Sequence, residues 1–405
     1  MNNSRAKATK TILIGTGLRD RPFPRHLAAV GRELVASGYQ VTLLVHGPVD
    51  KAVYVDPCVG VLNWPSPRPT RVADMLFFDR LVRRLRPCCL FSNFGARNIM
   101  MTIGGLRRVP VRIHWHHTLT SQIEDDWRDS RLKLSLLKLR ARIPFSFVTH
   151  VIANSNVAKE DVINTFGVPA QKCRVFWNSL EDPLAQSGPT LTPPASSPDI
   201  RCFVCAGRFA PSKGQDVLVK AMARVITRHP EATVEFLGDG STKIACEEMA
   251  RNFGLGERCR FLGSLSRHSE VLSKMAGAWC VVVPSRYESF GLVNIESMSV
   301  GVPVIGSNTG GIAEIVRDGV DGFLFPPGDH DALAARMITL LEDESLRAQM
   351  AASARRRFLE HFESTRAVKE QVRWIIEHVS NAVNCVSQPG AASGAGHAAA
   401  SNPPR

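Results

Sequence analysis

The sequence predicts an α/β protein made of two Rossmann-like domains. Short apolar runs alternate with segments of helical periodicity along most of the 405 residues, a pattern typical of βα units and parallel sheets. A stretch rich in Pro, Ser and Asp at residues 178–199 divides this alternation into two series. Because one hydrophobic core rarely supports a chain of this length, we expect a domain at residues 1–180, a linker at 181–200 and a second domain at 201–364.

The first series contains five apolar runs that we interpret as strands. A helix follows the first of them, since Leu27, Val30 and Leu34 fall on one face of residues 24–37 and the pattern stops at Gly38. The predicted strands are residues 11–15, 41–45, 88–91, 111–115 and 148–154.

The second series repeats the same alternation after the linker. Its predicted strands are residues 201–206, 233–237, 260–262, 280–283 and 302–306, and its predicted helices are residues 215–228 and 290–300. Three more helical segments follow Gly328. Residues 386–405 are mostly Ala, Gly, Ser and Pro, and we expect them to be disordered because they lack apolar surface.

Neither a secretory signal nor a membrane span is predicted. About five apolar residues follow the basic segment 1–10, and no run approaches the roughly 18 apolar residues of a spanning helix. We therefore expect a cytoplasmic protein. Cys202 and Cys205 lie in an apolar strand-like run without a second Cys or His pair, so we expect buried thiols and no metal site.

The net charge of +13 belongs to the first half of the chain. Residues 1–185 carry 27 Lys and Arg against 14 Asp and Glu, whereas residues 186–405 carry 23 of each. The excess indicates an anionic partner. Nucleic acid is not expected, because aromatic residues are not interleaved with the basic ones as a stacking platform requires. The densest basic stretches are Arg80 to Arg86, Arg107 to Arg112 and Arg128 to Arg142.

Residues 128–143 predict a basic amphipathic helix. Leu132, Leu136, Leu139 and Ile143 form one stripe, and Lys and Arg occupy the other faces. Two interpretations stay open. The helix lies on the anionic inner face of the cell membrane, or it docks its leucines on its own domain and extends its cations into water.

The first motif with chemical meaning is Ala206-Gly-Arg-Phe-Ala-Pro-Ser-Lys-Gly214. It places Arg208 and Lys213 in a glycine-bearing turn between a strand and a helix. A planar guanidinium, an ammonium and a helix N-terminus together suit a diphosphate. Two surface cations in such a turn are also common without any ligand.

The second motif places Glu288 and Glu296 on either side of a helix start. We interpret Ser289 as the helix cap, which leaves the amides of Phe290, Gly291 and Leu292 available to an anion. A carboxylate accepts paired hydrogen bonds from sugar hydroxyls, so this arrangement suits a sugar diphosphate nucleoside. The alternative is an ordinary polar helix start with a solvated Glu.

These segments together resemble the donor domain of the retaining family 4 glycosyltransferases, which have the two-domain GT-B fold with a central cleft. The resemblance covers about 125 residues in the right order. It includes the Gly-Arg and Lys-Gly turn, Gly238-Asp-Gly240, the two glutamates around Ser-Phe-Gly-Leu, Gly301-Val-Pro-Val-Ile305, Thr309-Gly-Gly-Ile-Ala-Glu-Ile-Val316 and Asp318-Gly-Val-Asp-Gly322.

The resemblance implies a role for each matched position. Arg208 and Lys213 would hold the donor diphosphate and stabilise the charge that develops on the leaving group. Glu296 would bind the nucleotide ribose, and Glu288 would contact hydroxyls of the transferred sugar. The donor site would also include Gly207, Gly238, Ser289, Phe290, Gly291 and Leu292. By the same analogy, helix 365–384 would return the chain to the N-terminal domain.

The first half matches the family less closely. Its opening strand and helix are similar, but the usual glycine pair is replaced by residues 18–26, rich in Arg and Pro. Gly15 and Gly17 remain candidates for the loop that faces the donor. Arg21 and Arg25 are candidates for contact with an anionic acceptor.

A histidine cluster, His114-Trp-His-His117, closes a predicted strand where the family commonly places a functional histidine. His114 and His116 share one strand face. We favour His116 as the catalytic histidine over His117, which is an acceptor candidate. No metal is expected, since no carboxylate or Cys pattern at ligand spacing accompanies the histidines.

The predicted function is transfer of a sugar from a nucleotide diphosphate sugar, used as co-substrate without a cofactor, to a saccharide or lipid-linked acceptor. Retention of configuration and a place in cell-surface polysaccharide, lipopolysaccharide or glycolipid synthesis follow from the resemblance. Two alternatives are a nucleotide-sugar epimerase of the same architecture and a non-catalytic polyanion-binding protein. A nicotinamide dehydrogenase is disfavoured, because neither half has Gly-x-Gly-x-x-Gly directly after a strand.

Overall fold

The computed structural model contains two parallel sheets, one in each half of the chain. It describes residues 10–18, 22–49, 53, 55–93, 96–126, 131–186 and 201–387. The strands are β1 Thr11–Leu18, β2 Gln40–Val49, β3 Gly60–Asn63, β4 Cys89–Asn93, β5 Val111–His116, β6 His150–Ala153, β7 Cys173–Val175, β8 Cys202–Ala206, β9 Thr233–Leu237, β10 Cys259–Gly263, β11 Cys280–Val283, β12 Val304–Ser307 and β13 Gly322–Phe325.

Both sheets have the strand order of Rossmann-like domains. The first runs β3-β2-β1-β4-β5-β6-β7 and the second β10-β9-β8-β11-β12-β13, with every pairing parallel. Central strands such as β4 and β11 are buried along their whole length, as a sheet covered on both faces requires. The predicted fold class is therefore confirmed.

Helices cover both faces of each sheet. They are α1 Pro22–Ala36, α2 Val72–Leu85, α3 Arg97–Leu106, α4 Thr120–Asp126, α5 Arg131–Ser146, α6 Asn156–Phe166, α7 Pro183–Gln186, α8 Gln215–Arg228, α9 Lys243–Asn252, α10 His268–Ala276, α11 Leu292–Ser299, α12 Ile312–Ile315, α13 His330–Glu342, α14 Glu344–Arg357 and α15 Ser364–Ser387. Among the described residues, none of these helices is both long and apolar enough to cross a bilayer.

The last helix, α15, packs on the first sheet although it follows the second in sequence. Val368, Val372 and Ile375 join the core beneath α1. The chain passes between the halves near Leu180 and near Phe362, and these two segments pair: the Leu180 amide donates to the Phe362 carbonyl at 2.9 Å.

A buried histidine ties these segments to the first domain. His26 on α1 contacts Ser179 in the first crossing at 2.9 Å and Gln371 on α15 at 2.8 Å. Burial lowers the pKa of His26 to about 4, so the imidazole is neutral near pH 7. Asp182 and Arg355 add an ion pair of 2.7 Å beside the second crossing.

Candidate active site

A cavity of about 960 Å³ lies between the carboxyl ends of the two sheets. Ligands of parallel α/β sheets commonly bind at this edge, because the strand-end loops converge there. The first sheet contributes residues at the ends of β1, β2 and β4 and in the loop before α2. The lining includes Thr16, Gly17, His46, Pro67, Arg68, Asn93, Gly207, Arg208, Gly238, His268, Leu292 and Glu296.

The turn after β8 brings Arg208 to this cavity. The Phe209 amide donates to the Asp239 carbonyl at 2.9 Å, which holds this turn against the one after β9. Gly238, with φ of +142°, permits the contact, since a Cβ there would overlap the carbonyl oxygen of Gly207. Gly238 therefore allows the two turns to pack directly against each other next to Arg208.

Lys213 and Glu288 meet although 75 positions separate them. The Lys213 Nζ lies 2.6 Å from Glu288 Oε2, and the Ser285 hydroxyl lies 3.3 Å from the same oxygen. Gly214 makes this possible, because its φ is +65° and a Cβ would overlap the Pro284 carbonyl oxygen. The pair is mostly buried and is not part of the cavity lining, so the cation and the carboxylate neutralise each other beside the cavity.

The predicted helix cap at Ser289 is wrong. Helix α11 begins at Leu292, and Gly291 occupies the N-cap position with φ of +89°. The Ser289 hydroxyl instead donates to the carbonyl of His117 in the other domain at 2.5 Å. Phe290 lies in the core at 1% exposure, so only its backbone is available to a ligand.

Glu296 lies in the second turn of α11 and lines the cavity. Its carboxylate is 7% exposed and Oε1 lies 3.7 Å from Nε2 of His268. Leu292 and Val293, at the helix start, supply apolar lining beside it. The sequence did not single out His268. Its only signal is its position at the start of α10, directly after the loop that follows β10.

The glycines of the first strand separate into two environments. Gly17 lines the cavity, whereas Gly15 is buried against α3, where a Cβ would lie 2.5 Å from Met100 Sδ. The predicted donor contact of Gly15 is therefore not seen. Arg25 lies 3.6 Å from Glu181 and does not line the cavity, and Arg21 lies outside the described residues.

The adjacent residues His116 and His117 lie on opposite sides at the end of β5, as strand alternation requires. The favoured residue, His116, lies on the face that helices cover. His116 faces the helices, 6% exposed, with Nε2 3.5 Å from Asp161 and its ring beside Phe145 and Phe166. Burial lowers the pKa of His116, which keeps the ring neutral at pH 7. The structure therefore does not bring the favoured catalytic histidine to the cavity.

His117 is the histidine nearer the donor loop. Its ring packs against Phe23, which lines the cavity, at a centroid distance of 4.1 Å. Its carbonyl accepts the hydrogen bond from Ser289. Burial holds the pKa of His117 well below its usual value. The backbone of His117 thus links the end of β5 to the loop that carries Glu288.

A second contact between the halves uses Glu314. Its carboxylate accepts from the amides of Asn156 and Val157 at 3.0 and 3.1 Å, and from the Asn156 side chain at 2.9 Å. These amides form the N-terminus of α6, where a negative charge is favoured. Within the described part of the chain, no group of three or more metal-ligating side chains occurs.

Comparisons with known proteins agree with this arrangement. The model of Glycosyltransferase Family 4 matches residues 24–181, and the model of Glycosyl transferases group 1 matches residues 194–357. An uncharacterized glycosyltransferase of Methanocaldococcus jannaschii is 29% identical over 230 residues, which cover 55% of this chain and 58% of that protein. The chain thus spans little more than half the length of this relative.

Solved structures share the fold at low identity. Sucrose-phosphate synthase from Thermosynechococcus elongatus superposes with a TM-score of 0.76 at 20% identity, over 92% of this chain and 99% of that one. Anabaena HepE, solved in complex with UDP-glucose, superposes with a TM-score of 0.68 at 19% identity, over 91% and 99%. The two family models together cover most of the chain, which belongs to the family 4 glycosyltransferases, and the superpositions show that it has the GT-B fold.

Replacing Gly310 should disturb the donor loop. Gly310 has φ of +49°, and a Cβ there would overlap the Glu288 carbonyl oxygen, so Gly310→Ala displaces the loop that carries Glu288. We expect a roughly tenfold loss of affinity for a nucleoside diphosphate, measured by calorimetry. Gly319→Ala is the matched control, since Gly319 has φ of +75° with no atom within 4 Å. Unchanged affinity in Gly310→Ala would contradict this assignment.

Neutralising Glu314 should weaken the contact between the halves. Glu314→Gln removes a charge at the N-terminus of α6, worth about 1 kcal/mol, and should lower the ratio of closed to open molecules roughly fivefold. Small-angle X-ray scattering should then report a larger radius of gyration. Glu248→Gln, at an exposed position on α9, should leave the radius unchanged. Equal radii for both variants would show that Glu314 does not hold the halves together.

Proposed function

We propose that this chain transfers a sugar from a nucleotide diphosphate sugar to an acceptor held by its N-terminal domain, with retention of anomeric configuration. One observation carries the proposal: a single cavity is lined by Arg208 and Glu296 on one side and by the strand ends of the first sheet on the other. A transferase needs such a shared space, because donor and acceptor must meet there without water.

The donor half of the cavity supplies complementary groups for each part of a nucleotide sugar. Glu296 can accept hydrogen bonds from ribose hydroxyls, and Arg208 can bind the diphosphate with its planar guanidinium. The likeness to a structure solved with UDP-glucose supports uridine diphosphate as the first nucleotide to test.

The contact between Lys213 and Glu288 positions a cation for the negative charge that develops on the diphosphate. Their 2.6 Å contact holds the ammonium in place before the diphosphate arrives. As the glycosidic bond breaks, negative charge grows on the diphosphate, and Arg208 and Lys213 stabilise it. This electrostatic contribution requires no rearrangement of the turns, because backbone contacts fix both of them.

The geometry favours Glu288 as a sugar contact over a covalent nucleophile. One of its oxygens already interacts with Lys213 and Ser285, which withdraws electron density from it. The donor phosphate then accepts the acceptor proton while the acceptor oxygen attacks the same face that the leaving group vacates. This route gives retention without a glycosyl-enzyme intermediate.

The acceptor is proposed to be a saccharide or lipid-linked molecule of cell-surface polysaccharide, lipopolysaccharide or glycolipid synthesis. The positive charge of residues 1–185 supports an anionic or membrane-held acceptor. In the predicted basic helix 128–143, Leu139 and Ile143 are 62% and 58% exposed, which favours contact with a membrane over docking on the domain. Both the positive charge and the exposed apolar side chains are consistent with a cytoplasmic protein attached to the inner face of the membrane.

Glu288→Gln tests the catalytic part of the proposal. Loss of the carboxylate charge should reduce turnover roughly 100-fold, while the affinity for free nucleoside diphosphate should fall less than in Lys213→Ala, because the side-chain oxygen of Gln can still accept a hydrogen bond from Lys213. Acceptor-dependent release of nucleotide measures turnover. Glu257→Gln, at an exposed position, is the control. Undiminished turnover would show that Glu288 is neither a sugar contact nor a nucleophile. Nucleotide release that does not depend on the acceptor would contradict glycosyl transfer.

A further inference from the structure

A second cavity, of about 470 Å³, forms a groove along the outward side of α2. Its floor is apolar and two guanidinium groups stand at its edge. The lining residues are Pro65, Ala73, Leu76, Phe77, Arg80, Leu81 and Arg84. Because Arg80 and Arg84 are one helical turn apart, they stand on the same side of α2.

The positive charge at this groove is not neutralised locally. Within the described part of the chain, no ion pair involves Arg80 or Arg84. Asp79, the residue before Arg80, already binds Arg83 at 3.0 Å and Arg107 at 2.5 Å. Asp74, the other acid of α2, is fully buried. An anion at the groove would therefore meet two available cations.

Asp74 holds the loop before α2 in one conformation. Its carboxylate accepts hydrogen bonds from the hydroxyl of Ser66 at 2.6 Å and from the amides of Thr70 and Arg71 at 3.0 and 2.9 Å. These bonds lower the pKa of Asp74 in spite of its burial. Pro65, at one end of this loop, lines the groove, and Pro67 to Thr70 line the cleft.

Exposed apolar side chains occur on α2 and on the helices packed beside it. On α2, Val72 is 69% exposed and Leu76 is 52% exposed. Helices α2, α3 and α5 pack in sequence on one side of the first sheet, and their outward residues Leu106, Leu139 and Ile143 are 65%, 62% and 58% exposed. Val72 and Leu76 are one helical turn apart, so two exposed apolar side chains share one side of α2 at the groove that Leu76 lines.

We propose that the groove on α2 binds a phospholipid of an anionic bilayer. The acyl chain lies on the apolar floor over Leu76 and Phe77, and the headgroup phosphate lies between Arg80 and Arg84. Charge complementarity and an apolar floor together select an anionic amphiphile over a free anion or a soluble protein. This site is separate from the cleft and does not depend on the transfer reaction.

The position of the groove gives the binding a consequence for the cleft. The same loop, residues 65–71, borders the groove at one end and the cavity between the sheets in its middle. A bilayer bound at α2 therefore lies beside the part of the cleft that belongs to the first sheet. An acceptor embedded in that bilayer would reach the cavity between the sheets without leaving the bilayer.

Vesicle flotation tests the site with the full chain. Wild type should float with phosphatidylcholine vesicles that contain phosphatidylglycerol and should stay in solution with pure phosphatidylcholine. Arg80→Glu with Arg84→Glu should lower the partition coefficient at least tenfold, since each basic residue near an anionic surface contributes about 1 kcal/mol. Leu76→Ser should also weaken binding, through lost apolar contact.

Matched variants on the donor domain distinguish a specific lipid site on α2 from a non-specific effect of net charge. Arg251→Glu with Arg258→Glu makes the same change in net charge at exposed positions, and Phe253→Ser removes an apolar side chain that is 47% exposed. Both should float like wild type, and unchanged melting temperatures exclude misfolding. The assignment would be overturned if both double variants lost flotation equally. It would also be overturned if wild type floated equally well with neutral vesicles, or did not float at all. A wild-type dimer that Arg80→Glu dissociates would also overturn it, by showing that a second copy covers α2.

Discussion

Close backbone contact between the strand-end loops of the second sheet positions the predicted donor groups. The turn after β8 packs against the turn after β9 at Gly238, and against the loop after β11 at Gly214. The loop after β12 packs on the Glu288 segment at Gly310. A side chain at any of these three positions would separate two loops. The short distance between Lys213 and Glu288 therefore depends on close backbone contacts that these glycines permit.

The same loops also connect the donor half to the first domain. Ser289 binds the backbone of His117, and Glu314 binds the N-terminus of α6. Ser289 directly follows Glu288 in the chain, and Glu314 lies on the short helix α12, which begins after Gly310 and Gly311 pack on the Glu288 segment. Movement between the domains would therefore be transmitted to the carboxylate that we propose contacts the sugar. The loop of residues 65–71 contributes both to the groove on α2 and to the cavity between the sheets.

Local pattern predicts the central strands of both sheets but, of the four edge strands in the described residues, predicts only β10. Central strands such as β4 and β11 are continuous apolar runs because both of their faces are buried. The strands β3, β7 and β13 were not predicted, and each lies at a sheet edge with only three or four residues. Residues 60–63 are largely exposed, so no apolar pattern marks them. Such strands are formed by pairing with a neighbour, which a local window does not contain.

The residues of the candidate site also divide into those that a local motif predicts and those that only long-range contacts place. Arg208, Lys213, Glu288 and Glu296 were identified because their spacing around turns and a helix start reflects local chemistry. The roles of Ser289 and His117 depend on a contact between residues 172 positions apart, and the preference for His116 followed from alternation without knowledge of which face meets the helices. Asn93 and His268 line the cavity without any motif around them.

Calorimetric titration with uridine, guanosine and adenosine diphosphates tests the central claim most directly. The account predicts saturable binding of one nucleotide per chain for at least one of them, weakened at least tenfold in Arg208→Ala and in Lys213→Ala and unchanged in Arg251→Ala. Absence of saturable binding, or equal affinity in all three variants and wild type, would contradict it.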